Sequence, residues 1–67
     1  MSTDPDVVII DGLYAGLAAI VLKAESGVVE VQTADGIQTA HLSSSLAKFE
    51  GWDSSGRAIA GAAWEVP

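Results

Sequence analysis

The 67-residue sequence contains no cysteine and a single histidine, so two common ways of stabilising a small domain are missing. No disulfide can form, and a structural zinc site of the usual Cys/His type lacks its ligands. A chain of this size buries only about 60% of the surface that its unfolded form exposes, which leaves a thin margin of stability. The sequence therefore predicts one domain, supported by its apolar core and by contacts with other subunits.

Basic residues are scarce: nine Asp and Glu residues face three Lys and Arg residues, for a net charge of −6. Nucleic acids and anionic membranes both attract surfaces rich in Lys and Arg. We therefore expect neither of them as a partner, and we expect a protein partner, with a basic one as the electrostatic complement. The alternative is that the acidity only keeps a small, apolar-rich chain in solution.

Aromatic residues are also few, namely Tyr14, Phe49, Trp52 and Trp64, although 49% of the residues are hydrophobic. This apolar content predicts a folded domain that leaves some apolar surface for contacts. The longest apolar run is too short to span a bilayer, and residues 1–6 are acidic where a secretory signal is basic. A cytoplasmic location is the resulting expectation.

Short β-branched or alternating segments, separated by glycine turns, predict an all-β domain. In one of them, Val29, Val31 and Thr33 alternate with polar residues, as in a half-buried strand. Ser26-Gly27 and Asp35-Gly36 are typical of tight hairpin turns. The five strands are predicted at residues 7–10, 17–24, 28–33, 37–42 and 58–66. A helix is the alternative for the second segment, but the segment is short and bounded by glycines.

The serines at 43–45 are typical of a helix start, and Leu46-Ala47-Lys48-Phe49 is long enough for one helical turn that Gly51 would end. One short helical turn is therefore predicted before the last strand. The resulting fold is a small five-stranded SH3-like barrel over residues 7–67, after a flexible lead-in at 1–6. Closing a sheet into a barrel removes the exposed edges that would otherwise aggregate.

The beginning of this region resembles the KOW motif of some ribosomal proteins and transcription elongation factors. The motif begins with an apolar strand and continues with two glycines that are separated by three residues. A second strand follows, with a small residue and a closing valine. The matching positions are Ile9, Gly12, Gly16, Ala19 and Val21. The resemblance covers residues 7–31 and implies an SH3-like barrel. RNA-binding members carry a basic residue in the loop, where this chain has Ala15, so a KOW-type nucleic-acid-binding or ribosome- and transcription-associated module is the alternative function.

Reactive side chains offer little chemistry. His41 precedes the serines at 43–45, but neighbours on one strand do not form a catalytic triad, and a half-buried strand histidine is the preferred interpretation. The loop from Gly12 to Gly16 lacks the lysine of a phosphate-binding loop. We therefore expect no catalytic residues, no bound metal and no cofactor. A pocket built around His41 by several subunits is the remaining enzymatic alternative.

Exposed aromatic residues indicate where a partner would bind. Tyr14 lies at the tip of a glycine-bounded loop and Trp52 in a polar turn, and both residue types are enriched at binding hot spots. Nearby acids would steer a basic partner. The predicted partner-binding residues are Tyr14, Leu13, Trp52, Asp11, Glu50 and Asp53. In the alternative, Trp52 closes the mouth of the barrel. Trp64 is predicted to fill the core.

The second strand presents apolar side chains on both faces, so a lone barrel would leave one of them exposed. Leu17, Ala19 and Val21 share one face and are the predicted homo-oligomer interface. The sequence as a whole predicts a non-enzymatic protein-interaction module, or a small subunit or adaptor of a larger assembly.

Overall fold

The computed structural model describes residues 4–65 and is all-β, with one antiparallel sheet. Its strands are β1 (Val7–Ile9), β2 (Ala18–Glu25), β3 (Val28–Thr33), β4 (Gln38–Leu42), β5 (Leu46–Trp52) and β6 (Ala58–Ala63). The strand order is β4-β3-β2-β1-β5-β6, and the sheet is not closed. The predicted all-β class is confirmed, whereas the predicted five-stranded barrel does not match this open, six-stranded sheet.

The additional strand is β5, in the segment that the sequence predicts as a helical turn. Leu46 lies opposite Ile9 of β1, and Ala47 lies opposite Ala63 of β6. Hydrogen bonding to a strand on each side outweighs the weak helical preference of four residues. A 3₁₀ turn is present just before it, at Ser43–Ser45. This turn therefore precedes β5 and not the last strand.

Within residues 4–65, no helix is long and apolar enough to cross a membrane.

The two local hairpins are confirmed. β3 has the predicted bounds, and β2 and β4 differ from prediction by one residue at their ends. Ser26 and Gly27 have φ angles of 54° and 79°, and Gly36 has a φ of 85°. The second turn is further held by Thr33, whose hydroxyl accepts a hydrogen bond from the amide of Ile37 at 3.3 Å. The predicted last strand ends at Val66, which lies outside the described residues.

A β-bulge in β2 decides which of its side chains reach the core. Val21 lies opposite Val31 and Lys23 lies opposite Glu30, so Leu22 is an extra residue in the pairing. Such a residue reverses the alternation of faces along the rest of the strand. Ala24 consequently packs against the same core as Val21 does.

The core is small and centred on β1. It contains Val7, Ile9, Ala19, Val29, Val31 and Leu46. Val8, between the two core residues of β1, is buried on the opposite face, so this strand is covered on both sides. A continuous β-branched run is typical of such a strand. Trp64 packs against the core and remains half-buried, so it only partly fills the role that the sequence suggests.

Asp6, the last residue of the predicted lead-in, is bound to both neighbours of β1. Its amide donates to the carbonyl of Ala19 at 2.9 Å, and its carbonyl accepts from the amide of Phe49 at 3.3 Å. Its carboxylate accepts from the amide of Val21 at 2.9 Å, just beyond the end of the β1 pairing. The sheet is therefore organised from Asp6 onward, and residues 1–3 of the lead-in lie outside the described residues.

Candidate partner-binding site

A groove with a volume of about 530 Å³ lies between two parts of the sheet, and we call it the Trp52 groove. One wall is formed by the start of β2 and the end of β3, which are paired through Ala19 and Thr33. The other wall is the tip of the β5–β6 hairpin. The lining residues are Asp4, Pro5, residues 16–20, residues 32–35, Trp52 and residues 56–58. Most of the lining is apolar, and one aromatic ring stands at its edge.

Trp52 ends β5 and is 56% exposed. Its ring contacts that of Phe49 edge-on, with centroids 5.0 Å apart and an interplanar angle of 65°. Residues three apart normally face opposite sides of a strand. Here the pairing of β5 with β6 shifts register around Glu50, and Gly51 has a φ of 146°, so both rings reach the same side. The irregular strand thus presents an aromatic pair to solvent beside the groove.

The hairpin tip is organised by the carboxylate of Asp53. Its Oδ1 accepts hydrogen bonds from the amide and hydroxyl of Ser55, at 2.9 and 2.6 Å, and from the amide of Arg57 at 2.9 Å. The Ser55 hydroxyl, followed by the Arg57 amide, lowers the pKa of Asp53 because both stabilise the ionised form. Asp53 therefore supports the turn that holds Trp52 and Arg57, while its predicted contact with a partner stays a prediction.

Of the glycine-bounded loop before β2, only Gly16 lines the groove. Leu13 is 91% exposed, while Tyr14 is half-buried and packs against the core. Gly12 and Gly16 have φ angles of 82° and 93°, and the Gly16 amide donates to the carbonyl of Ile9 at 2.6 Å. Of the three predicted aromatic and apolar contacts, only Trp52 lines the groove.

The charges at the groove differ from those predicted. Asp11 and Glu50 are exposed but do not line it. Its lining instead contains the charged residues Asp4, Asp35 and Arg57. These groups lie in three separate turns or termini, where sequence reasoning sees only solvated residues. Their shared location depends entirely on the strand order.

The predicted oligomer interface is divided by the fold. Leu17 is 40% exposed and lines the Trp52 groove. Ala19 is only 2% exposed and belongs to the core, so its side chain has little surface of its own to offer another chain. Val21 is half-buried against the core and lines a second recess of about 730 Å³, together with Lys48 and Trp64. Oligomer formation itself stays a prediction.

His41 occupies a half-buried position in β4, as the sequence indicates. Its Nε2 lies 2.7 Å from the hydroxyl of Thr39, two residues earlier on the same face. Within residues 4–65, no three His, Asp or Glu side chains are grouped so that they could hold a metal ion. The side chains around His41 thus suggest no reaction, and the absence of enzymatic activity stays a prediction.

Comparison of the chain with protein-family models, curated proteins and solved structures finds no match. The KOW-like pattern of glycines therefore stays a resemblance in sequence.

Proposed function

We propose that this chain is a non-enzymatic protein-interaction module, or a small subunit of a larger assembly, that binds a basic, extended segment of a partner in the Trp52 groove. The observation that carries the proposal is the 56% exposed indole of Trp52, set beside a groove of about 530 Å³. Tryptophan is among the residues that contribute most to binding when a partner buries them. An exposed tryptophan in so small a domain represents apolar surface left for a ligand.

The apolar lining favours aliphatic side chains in the partner. Leu17, just before β2, is partly exposed, and Ala18 and Ile20 at the start of β2 are half-buried. Alternate residues of a strand share a face, so Ala18 and Ile20 form a short apolar floor. An extended segment with apolar residues at alternate positions would place them on this floor and against the indole ring.

The charge of the site favours basic side chains in the partner. Asp4 and Asp35 line the groove against a single Arg57, and the whole chain carries a net charge of −6. The more distant acids Asp11 and Glu50 add to the same negative field. Such a field raises the association rate of a positively charged partner and suppresses that of an anionic one.

A KOW-type nucleic-acid module is the alternative class of protein. The loop from Gly12 to Gly16 has the backbone conformation that this alternative expects. Gly12 and Gly16 both have positive φ angles, which suit a tight loop between strands. The loop itself, however, contains no basic residue, and the nearest one along the chain, Lys23, is paired with Glu25 at 3.1 Å. Phosphate recognition would therefore lack its usual donors.

The test is an NMR titration of the ¹⁵N-labelled chain with a ten-residue peptide of alternating lysine and valine. The expected result is a shift of the Trp52 indole N–H and of the Gln32 side-chain amide, both at the groove. A peptide with glutamate replacing lysine, and a single-stranded RNA of ten nucleotides, should leave these signals unchanged. Binding of the RNA in preference to the lysine peptide would replace this proposal with the nucleic-acid alternative.

Two matched variants separate groove binding from general attraction between opposite charges. Trp52→Ala should weaken peptide binding by about 2 kcal/mol, roughly thirtyfold in Kd. Leu13→Ala removes another exposed apolar side chain, outside the groove, and should leave the Kd unchanged. Equal affinities of the two variants for the peptide would show that the groove is not the binding site.

A further inference from the structure

Charged side chains are distributed across the sheet in an unusual way. The two edge strands, β4 and β6, contain no Asp, Glu, Lys or Arg, and no proline. All the charged residues within strands lie on interior strands. They are Lys23, Glu25, Glu30, Lys48 and Glu50, in β2, β3 and β5. Monomeric sheet proteins usually show the opposite arrangement, because charges and prolines on edge strands prevent pairing with other chains.

Both edges are also accessible. Residues 59–63 of β6 are all exposed, and on β4 the outward-facing Gln38, Ala40 and Leu42 are exposed. β4 pairs with β3 in an unbroken register from Val28–Leu42 to Gln32–Gln38, so its free edge is regular. Within residues 4–65, no further strand pairs with either edge. The pairing of β6 with β5 shifts register twice, so the β6 edge is less regular than that of β4. Both edges nevertheless present backbone donors and acceptors without the charges or prolines that usually protect an edge strand.

We propose that these edges pair with each other between copies of this chain, so that β4 of one copy adds to β6 of the next. The net charge of −6 makes two copies repel each other, and the edge strands add no Asp or Glu of their own to a contact between copies. A partner of different sequence would need side-chain pockets for recognition. β6 itself presents alanine methyls, Gly61 and Ile59, which select poorly among foreign strands, and the side chain of Glu50 from β5 lies over Gly61.

Pairing of unlike edges fits the side chains better than pairing of like edges. β4 carries Gln38, His41 and Leu42, which are large, whereas β6 is mostly alanine and glycine. Large residues opposite small ones interdigitate, while two β6 strands would leave gaps. A two-fold dimer through one kind of edge would also leave the other edge of each copy unprotected. Head-to-tail pairing covers both kinds of edge and generates a ring or an open array.

This inference is independent of the Trp52 groove. Of the residues in the two edge strands, only Ala58 lines that groove. Substitution of the exposed Ala40 therefore tests the β4 edge without altering the proposed peptide site. On β6, Ala60 lies opposite Phe49, whose ring contacts Trp52, so Ala62→Lys is measured beside Ala60→Lys to separate the edge from that contact. A failure of edge pairing would leave the proposed function standing, and the reverse also holds.

The experiment uses Ala40→Lys and Ala60→Lys, which place a charge on β4 and β6 respectively, and sedimentation velocity at increasing concentration. The wild-type chain should form species larger than a dimer, and each variant alone should sediment as a monomer. An equimolar mixture of the two should form a two-chain complex, because each variant keeps the edge that the other has lost. Ser54→Lys adds the same charge in an exposed turn and should assemble as the wild-type chain does.

Several outcomes would overturn the proposal. A wild-type chain that stays monomeric at all concentrations shows that the edges do not pair. A mixture that forms no complex shows that β4 does not pair with β6. One variant that still dimerises while the other does not shows that like edges pair with each other. Circular dichroism verifies that each variant is folded. Gln38→Lys and Ala62→Lys provide a second pair on the same two strands if either first variant unfolds.

Discussion

At Ser26, a side chain occupies a backbone conformation that suits few residues. Among residues 4–65 it is the only non-glycine with a positive φ, and Gly27 follows it in a two-residue hairpin loop. Two positive φ angles define the type I′ turn, whose preferred first residue is asparagine. Ser26→Asn should therefore raise the free energy of unfolding by about 0.5 kcal/mol, as optimised turns commonly do. The measurement is urea denaturation followed by circular dichroism.

Two comparisons make the Ser26 prediction specific. Ser44→Asn changes an exposed serine without a positive φ and should not stabilise the chain. Ser26→Val places a β-branched residue in the same turn and should lower the free energy of unfolding. If asparagine and valine at position 26 had the same effect, the backbone conformation would not be the cause.

Asp53 predicts a pH dependence of the β5–β6 turn. Hydrogen bonds from Ser55 and Arg57 lower its pKa in the folded chain. The carboxylate therefore stabilises the turn fully above the pKa of the unfolded chain, and this contribution is lost as the pH falls through the folded pKa. The amide signals of Ser55 and Arg57 should titrate in acid, below the ordinary pKa of an aspartate. In Asp53→Asn, which keeps an oxygen acceptor, they should not follow this titration.

β5 is anchored to the core by Leu46, which is fully buried. Its neighbour along the chain, Leu42 at the end of β4, is 62% exposed and serves as a matched control. Leu46→Ala should cost about 3 kcal/mol, through lost burial and the cavity left behind. A domain of this length has roughly 3–10 kcal/mol of stability in total, so this variant should lose between about a third and all of it.

Thermal and urea denaturation of the two leucine variants provide the measurement. Leu42→Ala should change the free energy of unfolding by less than about 0.5 kcal/mol, as exposed substitutions usually do. Equal destabilisation by both variants would contradict the described core, because it would mean that Leu42 is buried as deeply as Leu46. If Leu42→Ala were less stable than the wild-type chain only at high protein concentration, the difference would indicate that Leu42 contributes to association through the edge of β4.

The sequence predicts strands best where the signals are local. The alternation in β3 and the turns at Ser26-Gly27 and Asp35-Gly36 depend on neighbouring residues, and all are present in the structure. The state of Leu46-Ala47-Lys48-Phe49 depends instead on β1 and β6, which are distant in sequence. The bulges around Leu22 and Glu50 likewise exist only relative to a partner strand. Such features could not be predicted from the composition or from the periodicity of apolar residues.

The same distinction applies to the candidate site. Trp52 was predictable because its residue type and its polar, glycine-bounded surroundings favour exposure. Tyr14 has similar surroundings, yet it packs against the core because its loop folds back over the sheet. Asp4, Asp35 and Arg57 come together only through the strand order. Local sequence thus identifies the aromatic anchor of the groove and not the charges around it.

For the whole molecule, the net negative charge has opposite effects on the two proposed interactions. The Trp52 groove contains carboxylates and would attract a basic partner, so its binding is favoured by the field of a chain with a net charge of −6. The edges of β4 and β6 are neutral, and their pairing must overcome that same field. The two interactions should therefore respond in opposite ways to screening.

Sodium chloride provides the measurement. Raising its concentration from about 0.1 M to 1 M shortens the Debye length from about 10 Å to about 3 Å. The affinity of the lysine–valine peptide for the groove should fall by at least tenfold, since attraction between opposite charges is screened. Association of the chain with itself should become stronger in the same series, since repulsion between copies is screened. Self-association that weakened with salt would mean that the contact between copies depends on opposite charges, which the edge strands do not carry.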